Sequence, residues 1–286
     1  MDSYRELITE ASKFLKDKGA DSPFLDALLL MAYAAGDISK EKIITMYPAT
    51  VPADTKAKFK EYIEKRARGI PVSYIRKRKE FYGLEFFVDE SVLVPRPDTE
   101  VIVDYTLKLI RENPNLKRIH DVCTGSGCMA IAIKKNASHS IEMSVSDISQ
   151  DALSVCKKNS LSILGHPLPA VVSDLLLSVN GKFDIIVSNP PYVTTEETSK
   201  IKQKGSPEPS LALDGGKDGL ELIRKLVPQA LELLSPGGYL IFEHHDAQAE
   251  ESNKICREAG FKQVACLRDL AGRRRATVAQ KPYEPD

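Results

Sequence analysis

The stretch "IHDVCTGSGCMAIAI", residues 119–133, decides the fold because its composition changes from that of a strand to that of a turn and then to that of a helix. An apolar segment leads into the turn Thr124–Gly127, and a second apolar segment of helical composition follows. Such a strand–turn–helix unit is typical of nucleotide-binding βαβ motifs, since glycines let backbone approach a ligand and the helix N-terminus offers unpaired N–H groups. We therefore predict a cofactor cradle at this turn.

A carboxylate about twenty residues after Gly127 supports a nucleoside site. Asp147 ends the next apolar segment, where its oxygens can accept hydrogen bonds from a ribose diol. The glycines also satisfy the dinucleotide pattern GxGxxG/A, so a dinucleotide enzyme stays open, as does a tight turn without a ligand. Asp174 follows a third strand and has two interpretations, an acceptor for an adenine amino group or a helix cap.

After Pro97, apolar strands alternate with helical segments, which is typical of a mostly parallel sheet covered on both faces. The seven predicted strands span residues 118–123, 140–146, 170–173, 183–188, 239–244, 261–267 and 276–280. The last two are joined directly through "RDLAGRRRA", so we expect an antiparallel strand at the sheet edge. The fold class predicted is α/β and doubly wound.

The first part of the chain has a different periodicity. Residues 3–68 carry apolar side chains at helical spacing, and one helix is predicted to start with a Ser22 hydroxyl cap and Pro23 in the first turn. Residues 78–94 change to strand spacing, with Gly83 as the turn of a hairpin. We predict a helical domain over 1–75, a linking β-hairpin over 76–95 and the α/β domain over 96–286.

Composition excludes several classes of protein. Forty basic residues balance forty acidic ones among 286, so no global field attracts nucleic acid or an anionic membrane. The longest apolar stretch, 24–35, is too short to span a bilayer, and the chain starts without a signal-peptide pattern. Five cysteines without a CxxC pair predict free thiols in a reducing cytoplasm. We expect no metal at "HHD", 244–246, because adjacent strand residues face opposite ways.

The stretch "IIVSNPPYVTT", residues 185–195, predicts the second half of the site. Its strand neighbours the first strand in a doubly wound order, so its carboxyl end opens onto the same crevice as the glycine turn. Asn189 offers an acceptor oxygen and a donor nitrogen, Pro190 and Pro191 stiffen the backbone, and Tyr192 offers a flat face. We predict that this loop holds a planar –NH2 group. A plain strand-ending turn is the alternative.

An amide or aromatic-amine nitrogen is a poor nucleophile because its lone pair is delocalised. Hydrogen bonds accepted by Asn189 Oδ1 and the Pro190 carbonyl would favour pyramidal geometry and aim the lone pair at an electrophilic methyl group, such as that of S-adenosylmethionine. The predicted catalytic residues are Asn189, Pro190 and Tyr192. The predicted substrate-binding residues are Asn189, Pro190, Pro191 and Tyr192.

Six further segments occur in an order that resembles one family. They are "GIPVSYI" at 69–75, "EFYGLEFFVDESVLVPRPDTE" at 80–100, "DVCTGSG" at 121–127, "FDIIVSNPPYV" at 183–193, "EPSLALDGGKDGLELI" at 208–223 and "RDLAGRRR" at 268–275. With them the chain is similar to the HemK/PrmC family, the peptide chain release factor glutamine N5-methyltransferases. The resemblance covers most of the chain beyond residue 69.

The resemblance implies a Rossmann-like class I methyltransferase fold, preceded by a small N-terminal helical domain that helps to engage the substrate. It implies S-adenosyl-L-methionine as the cofactor and, as the substrate, the Gly-Gly-Gln glutamine of class I release factors in the cytoplasm. The cofactor-binding residues that it implies are Cys123, Thr124, Gly125, Ser126, Gly127, Asp147, Asp174, Leu175 and Asn189.

Three places depart from the family pattern. Cys123 replaces a glycine, Leu175 and Leu176 replace an aromatic pair, and "EHHDAQ" at 243–248 replaces Glu-x-Gly. Two other functions stay open. An adenine-N6 or cytosine-N4 nucleic-acid methyltransferase would share the –NH2 chemistry but normally carries a basic face or a target-recognition domain. A nucleotide-binding module without methyl transfer would leave Asn189–Tyr192 without a purpose.

Overall fold

The computed structural model describes residues 2–269 and 271–283. Met1, Leu270 and residues 284–286, which fall within the predicted domains 1–75 and 96–286, lie outside the described residues. The chain divides into two compact units. The first comprises the residues up to Arg78 together with Ile201–Pro207, and the second comprises Lys79–Lys200 and the residues from Glu208 onward. A short segment from the second half of the sequence therefore belongs to the N-terminal unit.

The N-terminal unit is helical. Its helices are α1 (Tyr4–Asp17), α2 (Pro23–Ala34), α3 (Lys40–Thr45), α4 (Ala53–Ala67) and α5 (Val72–Arg76). Helix α2 begins at Pro23 as predicted, but the Ser22 hydroxyl makes no capping hydrogen bond, so that prediction is wrong. Ser22 has φ −130° and ψ 58°, outside the extended conformation from which a cap side chain reaches back to the first turn.

Residues 78–87 form a hairpin of β1 (Arg78–Phe81) and β2 (Leu84–Phe87). The two turn residues, Tyr82 and Gly83, both have positive φ, which matches the twist of a two-residue hairpin turn. The Tyr82 backbone N–H donates to Glu100 Oε1 at 2.9 Å. This bond fixes the hairpin turn to the start of the first helix of the α/β unit.

The α/β unit is built on a seven-stranded sheet, and the predicted fold class is confirmed. The strands are β3 (Arg118–Val122), β4 (Glu142–Asp147), β5 (Ala170–Val172), β6 (Phe183–Ser188), β7 (Leu234–Glu243), β8 (Lys262–Arg268) and β9 (Arg274–Gln280). They lie in the order β5-β4-β3-β6-β7-β9-β8, and only β9 runs antiparallel to its neighbours. The strand order reverses between β3 and β6, so a crevice opens at their carboxyl ends.

The antiparallel strand does not lie at the sheet edge, so that prediction is wrong. Strand β9 pairs with β7 on one side and β8 on the other, which leaves β8 at the edge. Five successive residues of β9, 276–280, are buried, whereas β8 is exposed or half-buried throughout. A strand that buries both faces is stabilised inside a sheet, and the more exposed strand takes the edge.

Helices cover both faces of this sheet. They are α6 (Glu100–Glu112), α7 (Cys128–Asn136), α8 (Gln150–Leu164), α10 (Glu221–Leu233) and α11 (Ala249–Glu258). A further helix, α9 (Thr195–Gln203), follows β6 in the chain. Ile185 and Ile186, adjacent on β6, belong to two different apolar clusters, because successive strand side chains point to opposite faces. Among the residues that the structure describes, no helix has both the length and the apolar character needed to cross a membrane.

Candidate active site

The carboxyl ends of β3, β4, β5 and β6 border one pocket. Nine of the predicted site residues line it: Cys123, Thr124, Gly125, Ser126, Asp147, Asp174, Leu175, Asn189 and Pro191. Three others, Gly127, Pro190 and Tyr192, do not contribute to the pocket wall. Thr99 and residues near Ser91–Arg96 and Pro209–Ala212 also line it, together with residues at the starts of the helices that follow β3 and β4. The two sequence motifs therefore meet at one cavity, as their positions in the sheet require.

The glycine turn is held by backbone and side-chain bonds to the sheet. The Thr124 N–H donates to the Ser146 carbonyl at 3.1 Å, and its hydroxyl donates to Asp121 Oδ2 at 2.6 Å. Burial raises the pKa of Asp121 to about 7, against the opposing Thr124 hydrogen bond. Gly125 has φ +53°, and a Cβ there would meet no atom within 4 Å. The requirement at Gly125 is therefore its backbone conformation, and the space beside it stays open.

Gly127 serves a different purpose from Gly125. It precedes α7 with φ +79°, and a Cβ there would lie 2.5 Å from Cys156 Sγ on α8 and 3.1 Å from Ile131 Cδ1. Real Cβ atoms do not approach other atoms so closely. This glycine is needed for close packing of α7 on α8, and its predicted contact with a cofactor has no counterpart in the pocket lining.

Asp147 is oriented by the turn that it faces. Its Oδ2 accepts a hydrogen bond from the Gly125 N–H at 2.9 Å, and its Oδ1 accepts one from the Ser149 N–H at 2.9 Å. Burial raises the pKa of Asp147, while the bonds from Ser149 and Gly125 lower it. Each carboxylate oxygen has a second acceptor site, so the group can still bind a diol.

Asp174 and Leu175 follow β5 in a turn that the Leu177 N–H closes on the Asp174 carbonyl at 3.2 Å. No helix begins there, so the interpretation of Asp174 as a helix cap is wrong. Leu175 is 4% exposed and has φ +52°, which side chains with a Cβ rarely adopt. Both residues lie on the pocket wall.

Cys123 occupies the first position of the turn with φ +58°, in the region that favours glycine. Burial is the largest cause that raises the pKa of its thiol, and the Asp147 carboxylate is the second. The thiol is therefore protonated at neutral pH. Its Cβ and sulfur take up room on the pocket wall that a glycine would leave empty.

The Asn189–Tyr192 loop is anchored by side chains at both ends. Asn189 Nδ2 donates to Thr99 Oγ1 at 3.2 Å, and the Tyr192 hydroxyl donates to Glu243 Oε1 at 2.9 Å. Burial raises the pKa of Tyr192, followed by the charge of Glu243. The loop is thus held at Asn189 by Thr99, which also lines the pocket, and at Tyr192 by the buried Glu243.

The segment "LDGGKDG", 213–219, supports the loop from behind. A Cβ at Gly215 would lie 2.6 Å from the Pro191 carbonyl oxygen, and one at Gly219 would lie 2.2 Å from that of Tyr192. Gln248 Nε2 donates to the same Tyr192 oxygen at 2.9 Å. These glycines are required because backbone lies against backbone there.

Sequence reasoning missed two residues behind the loop, Thr99 and Glu243. Thr99 lies in a short 3₁₀ helix, Pro97–Thr99, and Glu243 ends β7. The available signal was an acidic residue at the end of an apolar strand beside the Asn189 strand. Arg96, in the same segment as Thr99, contacts both Glu208 carboxylate oxygens at 2.7 Å through Nη2.

The side chains of the basic run 273–275 pair with carboxylates within the α/β unit. Arg275 contacts Asp98 at 2.8 Å and Asp269 at 3.0 Å, and Arg274 contacts Glu250 at 2.8 Å. Most of the charge of this run is therefore balanced locally.

Two family models match the chain. The PrmC N-terminal domain matches residues 6–76, and the methyltransferase small domain matches residues 103–204. A release factor glutamine methyltransferase of Clostridium acetobutylicum is 34% identical over 282 residues, covering 96% of this chain and 97% of the relative. The chain belongs to the release factor glutamine methyltransferase family. The resemblance found in the sequence is confirmed, and with it a methyltransferase whose cofactor is S-adenosyl-L-methionine.

A second relative agrees with this assignment, and two solved structures share the fold. The family member of Borreliella burgdorferi is 37% identical and covers 91% of this chain and 90% of its own length. A methyltransferase from Pyrococcus furiosus shares the fold with a TM-score of 0.53 at 19% identity, covering 77% of this chain and 98% of that one. The hMettl16 catalytic domain does so with a TM-score of 0.56 at 16% identity, covering 72% and 77%. These two structures support the fold alone.

Proposed function

We propose that the protein transfers a methyl group from S-adenosyl-L-methionine to N5 of the glutamine in the Gly-Gly-Gln motif of class I peptide chain release factors. One observation carries the proposal. Asn189 borders the same pocket as the glycine turn, and its Nδ2 is committed to Thr99, which leaves Oδ1 for a substrate –NH2 group.

The pocket residues fit the cofactor. Gly125 leaves the cradle open because a Cβ there would point into free space, and Asp147 keeps acceptor capacity for a ribose diol. Asp174 and Leu175 would border the adenine, and Cys123 and Ser126 would line the methionine end. When bound, S-adenosylmethionine supplies an electrophilic methyl group on its sulfonium sulfur.

The loop residues act by orientation. Asn189 Oδ1 and the Pro190 carbonyl accept the two hydrogens of the substrate carboxamide, which concentrates the nitrogen lone pair on one side. The bound cofactor would supply its methyl group to that lone pair, and the amide nitrogen would lose one proton to water. No charged side chain needs to act as nucleophile, so the rate enhancement comes from positioning and fixed dipoles.

The N-terminal unit is proposed to engage the body of the release factor. In this division, residues 1–75 bind the protein substrate, 76–95 link the parts, and 96–286 perform the reaction. Support comes from exposed apolar side chains on α2, where Phe24 is 51% exposed and Leu25 is 45% exposed. Replacing both with serine should raise KM for a whole release factor about tenfold through lost apolar burial, and leave KM for a Gly-Gly-Gln peptide unchanged.

The function is tested by incubating the protein with labelled S-adenosylmethionine and, separately, a class I release factor, duplex DNA and an RNA. We expect label in the release factor alone, and mass spectrometry should place one methyl group on the glutamine of Gly-Gly-Gln. A release factor with that glutamine replaced by alanine is the matched control. Label that enters only DNA or RNA would contradict the proposal and favour a nucleic-acid methyltransferase.

A further inference from the structure

A buried carboxylate lies behind the Asn189–Tyr192 loop. Glu243 is 1% exposed. Its Oε1 accepts from the Tyr192 hydroxyl at 2.9 Å, and its Oε2 accepts from the Thr99 hydroxyl at 2.6 Å. Both distances are within the normal range for O–H···O bonds. The two ends of the loop are thus connected to one charged group through two hydroxyls.

The single hydrogen of the Thr99 hydroxyl determines which way the Asn189 amide faces. A threonine hydroxyl has one hydrogen, and the short bond to the Glu243 carboxylate uses it. Only lone pairs of Thr99 Oγ1 then face Asn189, whose side-chain nitrogen lies 3.2 Å away. The reversed carboxamide would place oxygen against oxygen with no hydrogen between them. The amide of Asn189 must therefore direct its NH2 to Thr99 and its oxygen the opposite way.

We propose that Thr99 and Glu243 are positioning residues that hold the Asn189 carboxamide with Oδ1 toward the substrate amide. This inference rests on the proposed function, because orientation of Oδ1 matters only if a substrate N–H group binds there. The Glu243 carboxylate sets the direction of the Thr99 O–H bond, and Thr99 in turn sets the direction of the Asn189 amide. Without this relay, Asn189 can present a donor to a substrate nitrogen that needs an acceptor.

The segment that carries Thr99 is fixed independently of its hydroxyl. Asp98 contacts Arg275 at 2.8 Å, and the Arg96 side chain is bound to both oxygens of Glu208. Thr99 itself is 2% exposed. A substitution that removes only the hydroxyl therefore leaves the backbone of Pro97–Thr99 in place, and the loss of orientation can be separated from loss of fold.

Protonation of Glu243 would reverse the relay. A protonated carboxyl can donate to Thr99, whose own hydrogen is then free to point at Asn189 and favour the reversed amide. Burial raises the pKa of Glu243, Asp98 adds to the rise, and Thr99, Tyr192 and Arg275 oppose it. The carboxylate also acts on the Cys128 thiol, whose pKa it helps to raise, and the buried imidazole of His244 follows it directly in the chain. We expect kcat to fall as pH decreases through this raised pKa.

The test compares three threonine variants. Thr99→Val removes the hydroxyl at constant shape and should lower kcat about 10²-fold, the usual effect of losing one preorganised dipole, with KM for the cofactor unchanged. Thr99→Ser should restore most of the activity. Thr106→Val is the matched control, since the Thr106 hydroxyl is equally buried and has no hydrogen-bond partner among the described residues. Wild-type kcat in Thr99→Val would overturn the inference.

Two further measurements separate positioning from general damage. Slow exchange of the Asn189 side-chain amide protons, followed by NMR, should be present in the wild type and Thr106→Val and lost in Thr99→Val. Glu243→Gln offers one acceptor for two hydroxyls, so kcat should fall and the acid limb of its pH profile should move. An unchanged profile in Glu243→Gln would overturn the role of Glu243. A wild-type protein that fails to methylate the Gly-Gly-Gln glutamine would overturn the proposed function itself.

Discussion

The two halves of the pocket are constructed in different ways. The proposed cofactor half, Thr124–Gly127 with Asp147, is held by backbone groups and by side chains from one continuous stretch of the sequence, 121–159. The substrate half, Asn189–Tyr192, is held by side chains from distant parts of the chain, Thr99 and Glu243. The difference shows that backbone geometry is sufficient to present N–H groups and an open cradle. Presenting one oxygen of a carboxamide requires a chain of oriented side-chain bonds.

The largest effect on kcat is expected at Asn189, in the substrate half of the pocket. Asn189→Ala removes the acceptor for the substrate amide and should lower kcat by about 10³-fold, because that bond strengthens in the transition state. The affinity for S-adenosylmethionine, measured by calorimetry, should change little. Wild-type kcat in Asn189→Ala would mean that the Asn189 oxygen is not needed for the reaction, and would contradict the proposed difference between the two halves of the pocket.

Gly125 and Gly127 lie in the same turn, but the structure gives them different roles. Gly127→Ala forces a Cβ against Cys156 and an unfavourable φ, and should lower the free energy of unfolding by about 3 kcal/mol. Gly125→Ala meets no atom and should cost only about 1 kcal/mol from its φ, but it should weaken cofactor binding because its Cβ faces the pocket. Urea denaturation and calorimetry of both variants measure these effects. Equal stability losses would contradict the assignment of different roles.

Asp147 tests whether the cofactor half acts only in binding. Asp147→Asn removes the charge and one acceptor, and should weaken S-adenosylmethionine binding by about 2 kcal/mol, the contribution of a hydrogen bond to a charged group. At saturating cofactor, kcat should stay close to the wild-type value. A fall in kcat at saturation, with unchanged affinity, would show that the carboxylate acts on the reaction instead.

The smallest effect is expected at Cys123. Cys123→Gly relieves a Cβ at φ +58°, but the glycine also increases the entropy of the unfolded chain. These contributions nearly cancel, so the free energy of unfolding should change by less than about 1 kcal/mol. Cofactor affinity should rise slightly because the pocket gains the space that the Cys123 side chain occupies. A large loss of stability in thermal unfolding would contradict this expectation and would mean that the Cys123 side chain makes a contact that stabilises the fold.

Sequence reasoning anticipated which residues come together in the proposed cofactor half more fully than in the proposed substrate half, for a physical reason. The turn Thr124–Gly127 and Asp147 belong to one βαβ unit, so their meeting follows from local order in the chain. Glu243 and Thr99 meet the Asn189–Tyr192 loop only because β7 lies beside β6 and the Pro97–Thr99 segment packs at their ends. No spacing within the sequence encodes that meeting.

The position of β9 was mispredicted for a similar reason. The direct connection between the last two strands correctly indicated an antiparallel pair. Which of the two takes the edge depends on burial against the rest of the sheet, where residues 276–280 are covered on both faces. Likewise, Gly127 fits a cofactor pattern in sequence, but its neighbour Cys156 on α8 explains the need for glycine.

A crystal structure with the demethylated cofactor product and a Gly-Gly-Gln peptide tests the central claim most directly. We expect the glutamine carboxamide nitrogen within about 3 Å of Asn189 Oδ1 and on the side of the cofactor sulfur. Asn189 Nδ2 should still face Thr99. A sulfur directed away from Pro190 and Pro191, or an Asn189 amide that turns its nitrogen to the substrate, would contradict the claim.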